Sequence, residues 1–279
     1  MTLDRDVAVK YLGHATFLIT TPGGKNLLID PWLQNNPACP DQHKQIDSLD
    51  TMLLTHAHFD HIQDAVALAK AHQPQIGCIF ELGNWLERKG AQNVNSMNKG
   101  GTQQINDVRV TMVDARHSCG ILEDDGSISY GGTAAGYVVE FENGFRLYHA
   151  GDTAVFGDMK IIAELYQPEL ILLPIGDLYT MSPKEAAYAC RLMDAKKVIP
   201  MHFGTFPPLQ GTPRELQELT RDLGTEIIEM QPGGDVEVGA LVSGQRVPRS
   251  RFHVPEKKCR GAPSAPTARS FGFHHRDTE

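Results

Sequence analysis

"TMLLTHAHFDHIQDA", Thr51 to Ala65, sets three histidines and an aspartate within six positions, between an apolar run and a helical pattern. TMLLT is short, apolar and β-branched at both ends, which predicts a buried strand. Ile62, Ala65, Val66 and Ala69 share one helical face, which predicts a helix beginning near His61. His56 to His61 then form the loop at the carboxyl end of the strand, and such loops face a crevice. Imidazole nitrogen and carboxylate oxygen are donors that divalent zinc, manganese or iron accept, and a loop can turn alternate residues toward different ions. The spacing His-x-His-x-Asp-His arises by accident in about one such chain in a thousand, so the stretch reads as a metal site.

Before this stretch the residues alternate like strands: VAVKYLG, ATFLITT, the turn PGGK, then NLLIDPWL. After it, short apolar runs alternate with helical patterns, as in α/β proteins. Strand signals recur at IGCIF, VRVTMVDA, AAGYVVEFE and FRLYHA, the last two joined across Asn143-Gly144, a strong hairpin pair. Helices are predicted at 81–90, 158–167, 183–194 and 213–223, with LILLP, KVIPMH and TEIIEMQ as strands between and after them. Ser182-Pro183-Lys184-Glu185 and Thr212-Pro213-Arg214-Glu215 each offer a capping hydroxyl, a proline at the first helical position and a glutamate three residues after the cap. The order is meander, helices, meander, helices. It predicts two similar β-then-α halves, split near residue 135, whose sheets pack face to face with helices outside; a mixed three-layer α/β sheet would give a similar series.

The 279 residues, 41% of them hydrophobic, are enough to bury a full core. We expect one folded domain over 1–239 and a basic, disordered tail over 240–279. The tail carries a net charge of +5 and leaves −13 on the body. A body that acidic repels phosphate backbones, which counts against nucleic acid as a partner. No apolar run reaches the roughly 20 residues of a bilayer-spanning helix, and the N-terminus has no apolar leader core, so the expectation is a cytoplasmic protein with no membrane partner. Five scattered cysteines without a Cys-x-x-Cys pair indicate buried free thiols. Nucleophile elbows, phosphate loops and dinucleotide fingerprints are absent.

One loop cannot complete a metal site, and further donors stand just beyond later strands: His117 after VRVTMVDAR, Asp152 after FRLYHAG and His202 after KVIPM. With these in place the chain resembles the metallo-β-lactamase superfamily in the order as well as the type of its motifs, over most of residues 1–235. YLGHATFLI, LLIDPWL, HAGDT, PIGDLYTMSPKEAA and MHFGTFP resemble a bacterial and archaeal group of uncharacterised metal-dependent hydrolases, related to the ascorbate-6-phosphate lactonases. The resemblance implies an αββα four-layer sandwich. It also implies a dinuclear centre in which His56, His58 and His117 hold one ion, Asp60, His61 and His202 hold the other, and Asp152 bridges both. Zinc is the default metal, with manganese and iron as alternatives.

The expected chemistry is hydrolysis by a metal-bridging hydroxide on a small ester, a lactone being favoured. Asp60 is a candidate proton carrier as well as a ligand, and the resemblance sets His14, in GHAT, beside the site. Metal-bound imidazoles usually give their outer N–H to a carboxylate or carbonyl, and Asp30 and Asp114, each near a strand end, are candidates for that role. Tyr179 to Met181 and Phe203 to Phe206 flank the expected pocket, whereas His149 reads as structural. Two other readings remain at this level: a phosphodiesterase acting on a phosphorylated small molecule, and a non-catalytic metal-binding sensor. A homo-oligomer is allowed, since relatives commonly assemble.

Overall fold

Along VAVKY every second side chain is buried, which makes β1 (Val7–Tyr11) a strand with one face in the core. It leads into β2 (Phe17–Thr20) and, through a turn in which Gly24 takes φ +84°, into β3 (Asn26–Ile29). The computed structural model describes residues 6–238, so the predicted tail at 240–279 lies outside the described residues. The chain continues through β4 (Thr51–Leu53), the single turn α1 (Phe59–Ile62), α2 (Ala65–His72), β5 (Gln75–Ile79), α3 (Phe80–Arg88) and β6 (Val94–Met97). Then follow β7 (Thr102–Ile105), β8 (Val108–Asp114), the hairpin β9 (Gly120–Leu122) and β10 (Ile128–Tyr130), β11 (Ala135–Glu140) and β12 (Arg146–His149). The remainder is α4 (Met159–Tyr166), β13 (Leu170–Pro174), α5 (Pro183–Met193), β14 (Lys197–Met201), α6 (Pro213–Leu219), β15 (Glu226–Ile227) and β16 (Asp235–Val238).

Two seven-stranded sheets result, ordered β16-β1-β2-β3-β4-β5-β6 and β15-β14-β13-β12-β11-β8-β7. One apolar cluster lies between them, with Val9, Ile19, Leu27 and Met52 of the first sheet meeting Val110, Tyr137, Leu147 and Leu172 of the second. Strand alternation sends the neighbouring residues Tyr148, Ile171 and Leu173 the other way, onto Ile162 of α4, Ala186 and Cys190 of α5 and Leu216 of α6. LILLP is therefore buried on both faces and reads as an unbroken apolar run. On the first sheet, Leu82 and Leu86 of α3 and Ala65 and Ala69 of α2 provide the helical layer. The αββα sandwich is the observed architecture.

The halves do not divide at residue 135. The chain passes from one sheet to the other between β6 and β7, and β16 returns to pair antiparallel with β1. β7 and β8 thus belong to the second half, because β8 pairs with β11 along its whole length. Helix formation also starts at Phe59, two residues before the predicted point. It breaks after one turn at Asp64, whose carboxylate accepts the N–H groups of Leu33 (2.6 Å) and Gln34 (3.1 Å) in the loop after β3. α5 begins as predicted: Glu185 N–H donates to Ser182 Oγ while Glu185 Oε2 accepts from Ser182 N–H.

Candidate metal centre

β1, β3 and β4 run in one direction in the first sheet, as do β8, β12, β13 and β14 in the second. Their carboxyl ends meet along one rim. The Ala135 N–H donates to Thr55 O (2.9 Å), the Tyr137 hydroxyl to Leu54 O (2.8 Å) and the His202 N–H to His14 O (2.7 Å). Each of these bonds joins residues from different sheets, so the loop ends are locked to one another.

On this rim the separated donors come together. His56 Nε2 lies 3.1 Å from His58 Nδ1, which lies 3.3 Å from His117 Nε2. Ligands held at about 2.0–2.1 Å in a tetrahedral shell are themselves about 3.3–3.4 Å apart, so these three nitrogens have the spacing of ligands to one ion. A second cluster gathers His14, Asp60, His61 and His202, with donor atoms within 4.8 Å of one another. Between the clusters stands Asp152: its Oδ2 is 3.0 Å from His202 Nε2, 3.3 Å from His61 Nε2, 3.6 Å from His117 Nε2 and 3.8 Å from His56 Nε2.

His61 Nε2, both ring nitrogens of His202 and Asp152 Oδ1 are buried without a hydrogen-bond partner. Buried polar atoms are almost always satisfied, and here His61 Nε2 and His202 Nε2 crowd the Asp152 carboxylate without the alignment of a hydrogen bond. Lone pairs that converge on a shared point, instead of on each other, suit cations among them. A divalent metal fits this donor set.

Electrostatics agree with that fit. Burial, reinforced by His61, pushes the His56 imidazole well below its ordinary range, and burial also lowers His58 and His117; all three are held neutral, the form that ligates. Burial works against the charge of Asp152, but His202 and His61 outweigh it and hold the carboxyl far down. For Asp60 burial is likewise overcome, by His61 and by the hydrogen bond from His14. His61 is the opposite case: despite its burial, Asp152, Asp30 and Asp60 raise it well above 6.5. Three carboxylates around one imidazole attract positive charge, which a proton supplies in the metal-free protein and a metal ion can replace.

Tautomers are set from behind. Asp30 accepts His61 Nδ1–H (2.8 Å) and the Thr55 hydroxyl (2.7 Å) on Oδ2, and the Thr55 N–H (2.8 Å) on Oδ1. With its proton given to Asp30, the Thr55 oxygen accepts from His56 Nδ1, 3.0 Å away. Both imidazoles therefore present Nε2 to the rim. Asp114 takes no such part: its carboxylate pairs with Lys99 and, at 2.9 Å, with Arg116, because the two residues between it and His117 carry the chain past the end of β8. His14 Nε2 lies 2.8 Å from Asp60 Oδ2, and burial together with nearby His202 lowers the imidazole to about 4, so at neutral pH it donates Nε2–H.

Thr55 carried no motif of its own in the sequence beyond preceding the histidines. His149, read as structural, accepts the Gly151 N–H on Nδ1 (3.1 Å) and so donates Nε2–H to Ala15 O (3.2 Å). It clasps the residue after His14 to the residue before Asp152.

A face-to-face pair of mixed sheets with a His/Asp rim at their strand ends defines a metallo-β-lactamase-type hydrolase. A family model described as a beta-lactamase superfamily domain matches residues 25–203. The chain is 56% identical over 225 residues to a UPF0173 metal-dependent hydrolase of Koribacter versatilis, covering 81% of this chain and 95% of that protein. It is 52% identical over 230 residues to another of Rubrobacter xylanophilus, covering 82% and 95%. Igni18, a metallo hydrolase from the archaeon Ignicoccus hospitalis, superposes with a TM-score of 0.74 at 32% identity, covering 84% of this chain and 99% of that one. The chain belongs to the UPF0173 metal-dependent hydrolases of the metallo-β-lactamase superfamily.

Proposed function

We propose that the protein hydrolyses a small ester, a lactone in the favoured case, at a dinuclear divalent centre, with zinc as the default metal and manganese or iron as alternatives. His56, His58 and His117 would hold one ion, Asp60, His61 and His202 the other, and Asp152 would reach both. When bound, such a pair supplies an activated water near neutral pH and an electrophile for the carbonyl oxygen. The chain's own residues do the rest. Asp30 and Thr55 keep the imidazoles of His61 and His56 turned inward. His14 holds Asp60 Oδ2 and leaves its second oxygen to take and return a proton as the leaving alcohol departs. The observation that carries this reading is the set of unpartnered buried donor atoms grouped around Asp152.

The −13 body disfavours the nuclease form of a phosphodiesterase and leaves a phosphorylated small molecule as the second enzymatic reading. A sensor would more often close its coordination shell, whereas a His/Asp set of this kind leaves room for water. We place the protein in the cytoplasm with a small-molecule substrate; no helix among the described residues is long and apolar enough to cross a membrane.

His58→Ala tests the assignment. Elemental analysis of the purified variant should show the loss of about one metal equivalent, and lactone hydrolysis should fall at least a hundredfold. Wild-type metal content with wild-type turnover would overturn the ligand set.

A further inference from the structure

Beside the Asp60–His14 side of the rim stands a continuous group of aromatic rings. Trp32 stacks on Phe206 at 5.6 Å with a 26° interplanar angle, and Phe59 meets Trp32 edge-on at 5.8 Å. His14 touches both Trp32 (5.1 Å) and Phe206 (5.7 Å). The core phenylalanines Phe17, Phe141 and Phe145 are at most 3% exposed, whereas Phe59, between the candidate ligands His58 and Asp60, is 50% exposed. In the loop after β13, Leu178 and Tyr179 are 64% and 59% exposed. That loop is pinned to the site: a Cβ on Gly176 would lie 2.0 Å from His202 O, and Asp177 and Leu178 both take left-handed backbone, φ +68° and +55°. Non-glycine side chains in that region crowd their own backbone, so two in succession carry strain. The fold thus tolerates strain and solvated apolar area where the chain borders the metal centre.

Charge narrows what this surface suits. The carboxylate of Asp60 lies within the aromatic group, and the cations flanking His117, Lys99 and Arg116, are both engaged by Asp114. An anionic substituent on this side would meet that carboxylate; a hydrocarbon one would gain from covering Phe59 and the open part of Phe206.

We propose that the substrate carries an alkyl or aryl group that packs on Phe59 and the half-buried Phe206, with buried Trp32 backing both rings, while its ester carbonyl lies at the histidine cluster, making it an apolar ester or lactone in place of a sugar phosphate. This rests on the hydrolase reading above and adds the substrate class to it. A buried methylene contributes about 0.8 kcal/mol, or about fourfold in affinity, and a half-open wall returns part of that.

Two measurements on the metal-loaded full chain test the wall separately from the chemistry. The first is kcat/KM for γ-lactones whose side chain runs from methyl to hexyl, with a carboxylate-terminated member for contrast. The second is calorimetric binding of linear alkyl hydroxamates of two to eight carbons. Both series should rise about two- to fourfold per methylene, and Phe59→Ala and Phe206→Ala should flatten the slope while metal content stays the same. Hydrolysis without chain-length dependence, or a preference for the carboxylate-terminated member, overturns the wall and spares the hydrolase reading. Hydroxamate affinity that climbs with chain length, with no lactone hydrolysed, supports the wall and counts against the ester reading. Flat binding with no hydrolysis overturns both.

Discussion

Asp30 illustrates how a single side chain organises chemistry it never touches. It is fully buried, its backbone sits at φ +51°, and its two oxygens accept three hydrogen bonds that together orient His61 and, through Thr55, His56. Left-handed backbone is uncommon outside glycine, and His14 (φ +59°) and His202 (φ +57°) share it. Three such residues at one rim mark strain held in place by surrounding bonds, among them His202 N–H to His14 O. Asp30→Asn keeps the shape but sets an amide N–H₂ among donors. Metal affinity should drop about 10–100-fold, read by competition with a chromogenic chelator, with the circular dichroism spectrum unchanged. Unaltered affinity would remove Asp30 from the account of the site.

At the scale of elements, the site depends on how strands end. β12 stops at His149, and Gly151 takes φ +64° so that Asp152 turns back toward the rim. A Cβ on Gly151 would lie 2.6 Å from Ala135 O and 3.1 Å from Thr55 Cβ, so there is room only for hydrogen. Gly151→Ala combines this collision with left-handed strain of about 1–2 kcal/mol, and both fall on the segment that positions Asp152. We expect a loss of at least about 2 kcal/mol in urea unfolding, with weakened metal binding. A variant as stable as wild type would show that the turn can relax. Capping at Ser182, by contrast, was fully legible, since cap, proline and glutamate lie within four residues and need nothing from elsewhere in the fold.

For the whole molecule, the metal-free rim is a concentration of histidines with opposed preferences. His14, His56, His58 and His117 have folded-state pKa values below the ordinary 6.5, with His14 at about 4. The unfolded chain takes up these protons first, so their contribution is complete above about pH 6.5 and is lost as pH falls below it. His61 is raised, so its contribution is present below about 6.5 and disappears as pH climbs through its folded value. Four groups outweigh one. Chelator-treated protein should lose stability between pH 7 and pH 5, by about 1.4 kcal/mol per pH unit for each net proton, measured by urea titration. Metal at a thousand times its dissociation constant should restore about 4 kcal/mol at pH 7 and less at pH 5, where protons compete for the same nitrogens. A metal-free protein equally stable at both pH values would contradict this balance.

By itself the sequence determined the succession of strands and helices, through period-2 and unbroken apolar runs, while the αββα layering followed only from the resemblance its motifs carry; it also singled out His56, His58, His61, His117, Asp152 and His202 by residue type at strand ends. These are local signals, set by side-chain chemistry and short-range periodicity. Three things were decided only by the tertiary structure. The exchange point between halves lies between β6 and β7 because short polar strands such as VNSM and DVEV acquire their identity from their neighbours. Asp114 went to Lys99 and Arg116 while Thr55 joined Asp30, since hydrogen-bond partners depend on which strand ends meet. The aromatic group of Phe59, Trp32 and Phe206 draws on three loops, and proximity among residues that far apart in the chain exists only after the two sheets have packed.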